Sequence, residues 1–164
     1  EIVPEGQRRA LAAAQKASVR YKKKVAHSVV VGSVATAVAA AASPIPFTDA
    51  ALLVPIQIGM LAGISATFGL ELSKAFLSTL VAATAGGAGA TFAGRAIVAN
   101  LLKLIPGPGT VAGAVISAAT AAALTTALGE AYIATLAYLV EQNDGEMPSV
   151  DEVADEFRSR LPLK

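Results

Sequence analysis

The stretch that decides the fold runs from Val25 to Leu70 and reads VAHSVVVGSVATAVAAAASPIPFTDAALLVPIQIGMLAGISATFGL. Two long apolar segments meet in it at the corner 43–46, and Asp49 is the acidic residue that opens the second segment. A helical hairpin of this kind has two physical settings, a lipid bilayer or the interior of a very apolar soluble bundle. The function of the chain depends on which of the two settings it occupies.

The overall composition favours buried helices. Of the 164 residues, 54% are hydrophobic and 15% are charged, whereas ordinary soluble domains carry roughly 25% charged residues. The mean hydropathy is +0.60, and Ala, Val, Leu and Ile supply it, because aromatic residues make up 5% and Trp is absent. Alanine is a strong helix former but is nearly neutral towards lipid. We therefore predict an all-α fold and leave the choice between bilayer and soluble bundle open.

The pattern along the chain predicts a single helical domain over residues 1–164, an Ala-rich bundle of two apolar hairpins with a flanking helix at each end. The predicted order is a basic helix at 6–24, hairpins at 25–74 and 75–142, and an amphipathic C-terminal helix at 149–161. The lysines at 22–24 either end the basic helix or carry it without a break into the first hairpin. A glycine cluster at 85–89 either divides the first arm of the second hairpin or lines a close helix crossing. Ser149 and Glu152 fit a capping box at the start of the last helix.

The corners of the two hairpins suggest an internal repeat. A shift of sixty positions aligns Ile45-Pro46 with Ile105-Pro106, although Ala-rich sequences also match themselves by chance. A true duplication predicts two pseudo-symmetric hairpins with both corners at one end of the bundle. The residues expected to shape the corners are Pro44, Pro46, Asp49, Pro106, Gly107, Pro108 and Gly109.

A block of basic residues precedes the first apolar segment, and no acidic residue interrupts it. Such a block suggests an anionic surface, either phospholipid or nucleic acid, and a solvated helix face is the alternative. Nucleic-acid binding needs aromatic or base-reading groups beside the block, and only Tyr21 is near. We therefore predict membrane lipid, and no nucleic acid, as the partner of Arg8, Arg9, Lys16, Arg20, Lys22, Lys23 and Lys24.

The sequence contains few side chains that could act in catalysis or bind a metal, so we predict no catalytic, cofactor or metal site. The lack of cysteine excludes disulfides and thiolate chemistry. The run 106–110 lacks the lysine that a phosphate-binding loop needs. His27, the one histidine, is predicted to be a packed residue rather than a base or a ligand. Five isolated charges are predicted to lie at helix ends or in ion pairs, with a proton or ion pathway as the alternative: Asp49, Glu71, Arg95, Lys103 and Glu130.

Several short motifs resemble one family. They are 14–15, 44–49, 55–60, 105–109 and 126–129, which read AQ, PIPFTD, PIQIGM, IPGPG and TALG. Over roughly residues 9–139 the chain resembles a family of unknown function typified by the YcjF-like inner-membrane proteins and found as the C-terminal domain behind Era-like GTPase domains. The resemblance implies an all-helical, membrane-associated module without established catalytic residues. This chain departs from the tandem arrangement because it contains no GTPase domain, and its start at Glu1 rather than Met suggests a fragment or a processed product.

Three functions remain as hypotheses. The first is a non-catalytic, membrane-associated module that anchors or regulates a GTPase domain or partner at a bacterial-type inner membrane or its cytoplasmic face, where the positive-inside rule keeps the basic block. Arg95 and Lys103 favour partly shielded hairpins over clean spanning, because charge inside a bilayer is costly. The second is a soluble cytoplasmic bundle for interaction or self-association, with Glu71, Lys74, Arg95, Lys103 and Glu130 on its surface or paired with each other. The third is a protein that inserts its hairpins into membranes as pore-forming proteins do.

Overall fold

The computed structural model describes residues 5–43, 48–87, 89–143 and 146–160, with the backbone alone for 5–13, 15, 16, 48–51, 85–87 and 89–94. The described residues form six helices and no strand, which confirms the all-α prediction. In chain order the helices are α1 (Glu5–Ala41), α2 (Thr48–Phe68), α3 (Lys74–Gly87), α4 (Gly89–Lys103), α5 (Pro108–Gln142) and α6 (Val150–Arg160).

The first helix is continuous, and the end of α2 differs from the predicted one. The basic helix and the first apolar helix form the single helix α1, one of the two predicted arrangements, because the residues around Lys24 include neither Gly nor Pro. Helix α2 ends at Phe68 because Gly69 has a φ of 89°, and the N–H groups of Gly69 and Leu70 bond back to the carbonyls of Ala66 and Ser65. This Schellman arrangement closes the helix. The residue predicted to end α2, at position 74, instead begins α3.

Contacts between helices give their directions. Val30 of α1 lies against Gly129 of α5, while Ala41, at the end of α1, clusters with Ala121. Helices α1 and α5 are therefore antiparallel. The Nζ atom of Lys103, at the end of α4, lies 3.2 Å from the carbonyl oxygen of Ala41. The end of α1 therefore packs on the middle of α5, beside the end of α4, and the α4–α5 turn lies farther along in the same direction. We call the end of the bundle that carries this turn the corner end; the opposite end, where α6 packs, is the core end.

Large buried side chains are concentrated at the core end. The ring of Tyr132 packs edge-on against Phe157 with centroids 5.7 Å apart, and its hydroxyl lies 2.8 Å from the Oγ of Ser65. These contacts join α5 to α6 and α2. The corner end has a much smaller buried cluster, built on Ala37, Ala41 and Ala121. Because alanine buries little apolar area, the hydrophobic contribution to stability comes mainly from the core end.

Two glycines let helices approach closely. A Cβ on Gly129 would lie 2.6 Å from Val30 Cγ2, so α1 and α5 approach closely at this glycine. A Cβ on Gly113 would collide with the carbonyl oxygen of Ala99. The lack of a side chain at Gly113 therefore lets α4 and α5 pack closely. The sixty-residue repeat itself stays a prediction, and Pro44 and Pro46 lie outside the described residues.

The capping box at the start of α6 is present. The backbone N–H of Ser149 and its hydroxyl donate to Oε2 of Glu152 at 2.7 and 2.8 Å, and the Glu152 N–H donates to the Ser149 hydroxyl at 3.3 Å. The hydrogen bond from the Ser149 backbone is the main cause that lowers the pKa of Glu152. The local sequence signal therefore identified both partners and their roles.

This cap makes a pH-dependent contribution to stability. A carboxyl whose pKa is lower in the folded than in the unfolded chain stabilises the fold above its unfolded pKa, and that contribution disappears as the pH falls through the folded pKa. We expect Glu152→Gln to lose less stability than the wild type on acidification from neutral pH to below about 4. Urea unfolding at both pH values measures this difference. Asp151→Asn, which keeps the Ser149–Glu152 bonds, is the matched control; equal acid sensitivity of Glu152→Gln and wild type would contradict the assignment.

Candidate functional site

Exposed aliphatic side chains gather at the corner end of the bundle, around the hairpin formed by α4 and α5. Seven of them are each between 52% and 65% exposed. We call this surface the apolar tip. Contiguous exposed apolar surface on a folded protein marks a contact with another protein or with a membrane. The apolar tip consists of Ile97, Val98, Leu101, Leu104, Ile105, Val111 and Val115.

The turn between α4 and α5 closes the apolar tip. Gly107 has a φ of 85°, a left-handed conformation that suits glycine, and Pro108 begins α5 at a position where a missing N–H costs nothing. Gly109 is buried, and a Cβ there would lie 2.6 Å from Cβ of Ile105. The hydroxyl of Thr110 donates to the Ile105 carbonyl at 3.0 Å. Residues 106–109 are all proline or glycine, so the turn contributes no charge to the tip.

Lys103 is the one charged residue in the sequence between Arg95 and Glu130, and it is 5% exposed. Its Nζ donates to the carbonyl oxygen of Ala41 at 3.2 Å. The last carbonyls of a helix lack partners within that helix and attract positive charge, so Lys103 stabilises the end of α1. Lys103 thus lies at a helix end, as predicted, but its side chain is buried rather than on the surface of the bundle. Its burial also removes Lys103 as an objection to contact between the tip and lipid.

Arg95 is exposed and lies on α4 one turn before Ala99, whose carbonyl faces Gly113. Since α4 and α5 are antiparallel there, Arg95 is level with about residue 117 of α5. All seven residues of the apolar tip therefore lie between Arg95 and the corner. Arg95 marks the boundary of the tip on the side of the core end.

Glu130, another of the isolated charges, meets His27 across the α1–α5 contact. The Nδ1 atom of His27 lies 2.7 Å from Oε1 of Glu130. The prediction of a packed histidine is wrong, because the His27 side chain is 61% exposed. His27 follows the fully buried Ala26 by one residue and therefore lies on a different face of α1. Glu71 is exposed in the connection between α2 and α3, and Lys74 is exposed at the start of α3.

Members of the basic block have different surroundings in the structure. Arg20, Lys23 and Lys24 are exposed on α1, whereas the Nζ of Lys22 donates to the carbonyl oxygen of Phe68 at 3.0 Å and lies 5.9 Å from the ring centroid of Phe68. Lys22 thus donates a hydrogen bond to a carbonyl at the end of α2, as Lys103 does at the end of α1. Arg8, Arg9 and Lys16 lie on α1 with side chains outside the described part. The exposed members of the block lie towards the core end, opposite the apolar tip.

The role of Lys22 can be separated from that of its neighbour. Lys22→Ala removes a charge-assisted hydrogen bond at a helix end, and we expect it to lower the free energy of unfolding by about 1.5–3 kcal/mol. Lys23→Ala, next to it on the exposed face, is expected to change that free energy by less than about 0.5 kcal/mol. Chemical unfolding of the two variants measures the difference. Equal effects would show that Lys22 does not stabilise the end of α2.

A shallow groove of about 500 Å³ runs between α1 and α2. Ser28, Gly32 and Thr36 line it from α1, and Gly59 and Met60 line it from α2. The hydroxyls of Ser28 and Thr36 donate to carbonyls of their own helix, at 3.3 and 3.0 Å. Because these hydroxyls are already bonded, the groove can face an apolar environment at low cost.

Two helical segments are long and apolar enough to cross a membrane, Ala17–Ala41 and Pro108–Gln142. Only 22% and 33% of their most apolar windows are buried inside the bundle. Core helices of soluble proteins pass the same length and hydropathy test, so these segments are weak support for spanning. Within the described ranges, no three His, Asp or Glu side chains come together as a metal-binding group.

Comparisons with known proteins identify a family and a curated relative of this chain. A family model described as "Domain of unknown function (DUF697)" matches residues 6–161. "Magnetosome membrane protein 22" of Magnetospirillum gryphiswaldense is 35% identical over 109 residues, which are 66% of this chain and 56% of that protein. The chain therefore spans little more than half the length of this relative. No solved structure matches.

Proposed function

The chain belongs to the family described as a domain of unknown function (DUF697), and we propose that it acts as a non-catalytic, membrane-associated helical module. The observation that carries the proposal is the apolar tip: seven exposed aliphatic side chains surround one hairpin, and the nearest lysine, Lys103, is turned inward. The relative named as a magnetosome membrane protein supports the same setting.

The apolar tip is large enough to hold the chain on a membrane. Complete burial of one large aliphatic side chain contributes about 1.5–3 kcal/mol. Seven partly exposed side chains therefore offer on the order of 5–10 kcal/mol before the costs of association. Two features keep the opposing cost low: the turn at 106–109 is uncharged, and Lys103 keeps its hydrogen bond to the protein. Contact with hydrocarbon is thus favourable without unfolding of the bundle.

For the core end we propose contact with water and with a protein partner. Its surface carries Arg20, Lys23 and Lys24 on α1, and α6 adds acids along its first two turns and arginines in its last turn. The positive-inside rule favours the cytoplasmic face of a bacterial-type inner membrane for such a surface. The resemblance to domains that follow Era-like GTPase domains makes a GTPase domain the partner class that we propose, with the module as its anchor or regulator.

A soluble interaction module is the second candidate function. The groove between α1 and α2 favours it, because glycine and serine at Gly32, Gly59 and Ser28 let another helix approach closely. This function predicts a stable self-associated or partner-bound form in water. It also predicts that the apolar tip is covered by protein rather than by lipid.

Cell fractionation separates the two candidates. We expect the full chain, produced in bacteria, to sediment with membranes, to stay there at high salt, and to be released by mild detergent. Detergent is then needed to keep the purified chain monodisperse. Recovery as a monodisperse soluble protein without detergent would overturn the membrane proposal and leave the interaction module.

A further inference from the structure

We infer that the apolar tip enters one leaflet of an anionic bilayer, with Arg95 at the level of the lipid phosphates and the apolar half of α1 outside the hydrocarbon. This inference rests on the proposed membrane association and specifies its depth and its lipid partner. Three observations carry it: the length of the tip, the distribution of large and small exposed residues, and the positions of the charges.

The length of the apolar tip matches one leaflet. From Arg95 to Ile105, ten residues at about 1.5 Å each give a rise of about 15 Å. The hydrocarbon core of a bilayer is about 30 Å thick, so one leaflet contributes about 15 Å. A tip inserted upright to the level of Arg95 therefore reaches the middle of the bilayer and does not cross it.

Among the described side chains of α1 and of the α4–α5 hairpin, seven of the nine exposed large aliphatic ones lie within that length. On the exposed face of α1, the residues between the basic block and Ala41 are mostly small, such as Ser28, Gly32, Ala35 and Thr36. The two exceptions are Val31 and Val25, at 57% and 36% exposed. The middle of α5 likewise exposes Ala and Thr. Transfer of such surfaces from water to hydrocarbon is only weakly favourable, whereas transfer of the leucine, isoleucine and valine side chains of the tip is strongly favourable.

Leu52 and Val54 of α2 are also exposed, and they fit the same placement. Gly63 of α2 lies against Val29 of α1, and the chain turns back between these helices. Val54 is therefore level with about residue 38 of α1, next to the corner end. These two side chains lie at the rim of the apolar tip rather than along the middle of the bundle.

The charges distinguish one-leaflet insertion from spanning. If the whole apolar region spanned the bilayer, the His27–Glu130 pair would lie at one interface and the start of α5 at the other, about 33 Å away along α5. Arg95 would then be exposed to the hydrocarbon interior, where an arginine is costly. Insertion of one leaflet instead places the exposed Arg95 at the level of the phosphates, where a positive charge is favourable.

Two matched valines test the depth directly. The chain contains no cysteine, so single cysteines at Val115 and Val31, 64% and 57% exposed, can each carry one environment-sensitive fluorophore. Asp155→Cys provides the aqueous reference. The labelled full-length chains are mixed with vesicles of phosphatidylcholine and phosphatidylglycerol that contain spin-labelled acyl chains. We expect a blue shift and strong quenching at position 115, and spectra at position 31 close to the aqueous reference.

The other outcomes are equally decisive. Strong quenching at both valines would overturn one-leaflet insertion in favour of spanning and would leave membrane association intact. Vesicle binding without quenching at position 115 would show that the tip is not the contact, and assembly of the chain through the tip would explain its exposure. A chain that does not bind vesicles at all would overturn the proposed function itself.

Arg95 provides the second arm of the test. We expect Arg95→Gln to weaken binding to vesicles with phosphatidylglycerol about fivefold, the effect of one cationic side chain near an anionic surface, and to change binding to pure phosphatidylcholine vesicles less. Arg158→Gln, which removes an exposed arginine from α6, is expected to leave both affinities unchanged. Tighter binding by Arg95→Gln would place position 95 in hydrocarbon, and unchanged binding would exclude a phosphate contact; either result overturns the inference.

Discussion

Replacing Tyr132 by alanine is expected to lower the free energy of unfolding by about 3–5 kcal/mol, as is usual for deletion of a buried aromatic side chain. Tyr132 is fully buried, and it joins three helices of the core end. Its ring packs against Phe157 of α6, and its hydroxyl meets Ser65 of α2. Since the corner end is held mainly by alanine, the rest of the bundle has little with which to offset this cavity. Urea unfolding followed by circular dichroism measures the loss.

Two further variants show how much of the effect of Tyr132 comes from its hydroxyl and how much from its buried ring. Tyr132→Phe keeps the ring and removes the hydroxyl, so we expect a loss of only about 0.5–1.5 kcal/mol. The Ser65 hydroxyl keeps its 2.8 Å bond to the carbonyl of Leu61 in that variant. Tyr138→Ala, at an exposed position of the same helix, controls for aromatic loss without a buried cavity. If Tyr132→Ala were no worse than Tyr138→Ala, the core end would not be the main source of stability.

Replacing Leu104 and Val115 together by aspartate is expected to reduce binding to vesicles by at least about 100-fold. Each change removes an aliphatic side chain worth about 1.5–3 kcal/mol when fully buried and puts a charge in its place. Both positions are more than half exposed in the bundle, so we expect little change in thermal stability. A titration of the labelled chain with phosphatidylglycerol-containing vesicles, with circular dichroism on the same samples, separates lost binding from lost folding.

Val31→Asp is the matched control for the tip. It also puts a carboxylate at an exposed aliphatic position, but it does so in the middle of α1. We expect a much smaller loss of binding than for the tip variant. An equal loss from this single change would mean that α1 also lies in hydrocarbon.

The parts of the fold that depend on local sequence could be predicted from it. The Ala-rich composition indicates helices, and the Ser149–Glu152 spacing indicates how α6 begins. Gly69 also offered a local signal for the end of α2, since glycine favours the left-handed conformation that closes helices. The predicted boundary at 74 followed the polar residues instead of this glycine.

The functional surface depends on contacts between distant residues, and these are not readable from local patterns. Lys22 lies in a run of three lysines, yet it bonds to a carbonyl 46 positions away. Lys103 looked like a barrier to lipid until its bond to Ala41, 62 positions earlier, placed its charge inside the protein. His27 likewise has its partner Glu130 on another helix. Which apolar residues are exposed depends on how α4 packs on α5, and that contact requires Gly113.

Flotation of the purified chain with vesicles is the most direct test of the claim that the apolar tip attaches this protein to a membrane. The wild type and the Leu104→Asp/Val115→Asp variant, both shown to be folded, are placed under a density gradient with phosphatidylglycerol-containing vesicles. We predict that the wild type rises with the lipid and that the variant stays at the bottom. A wild type that stays at the bottom, or a folded variant that rises equally well, would contradict attachment through the tip.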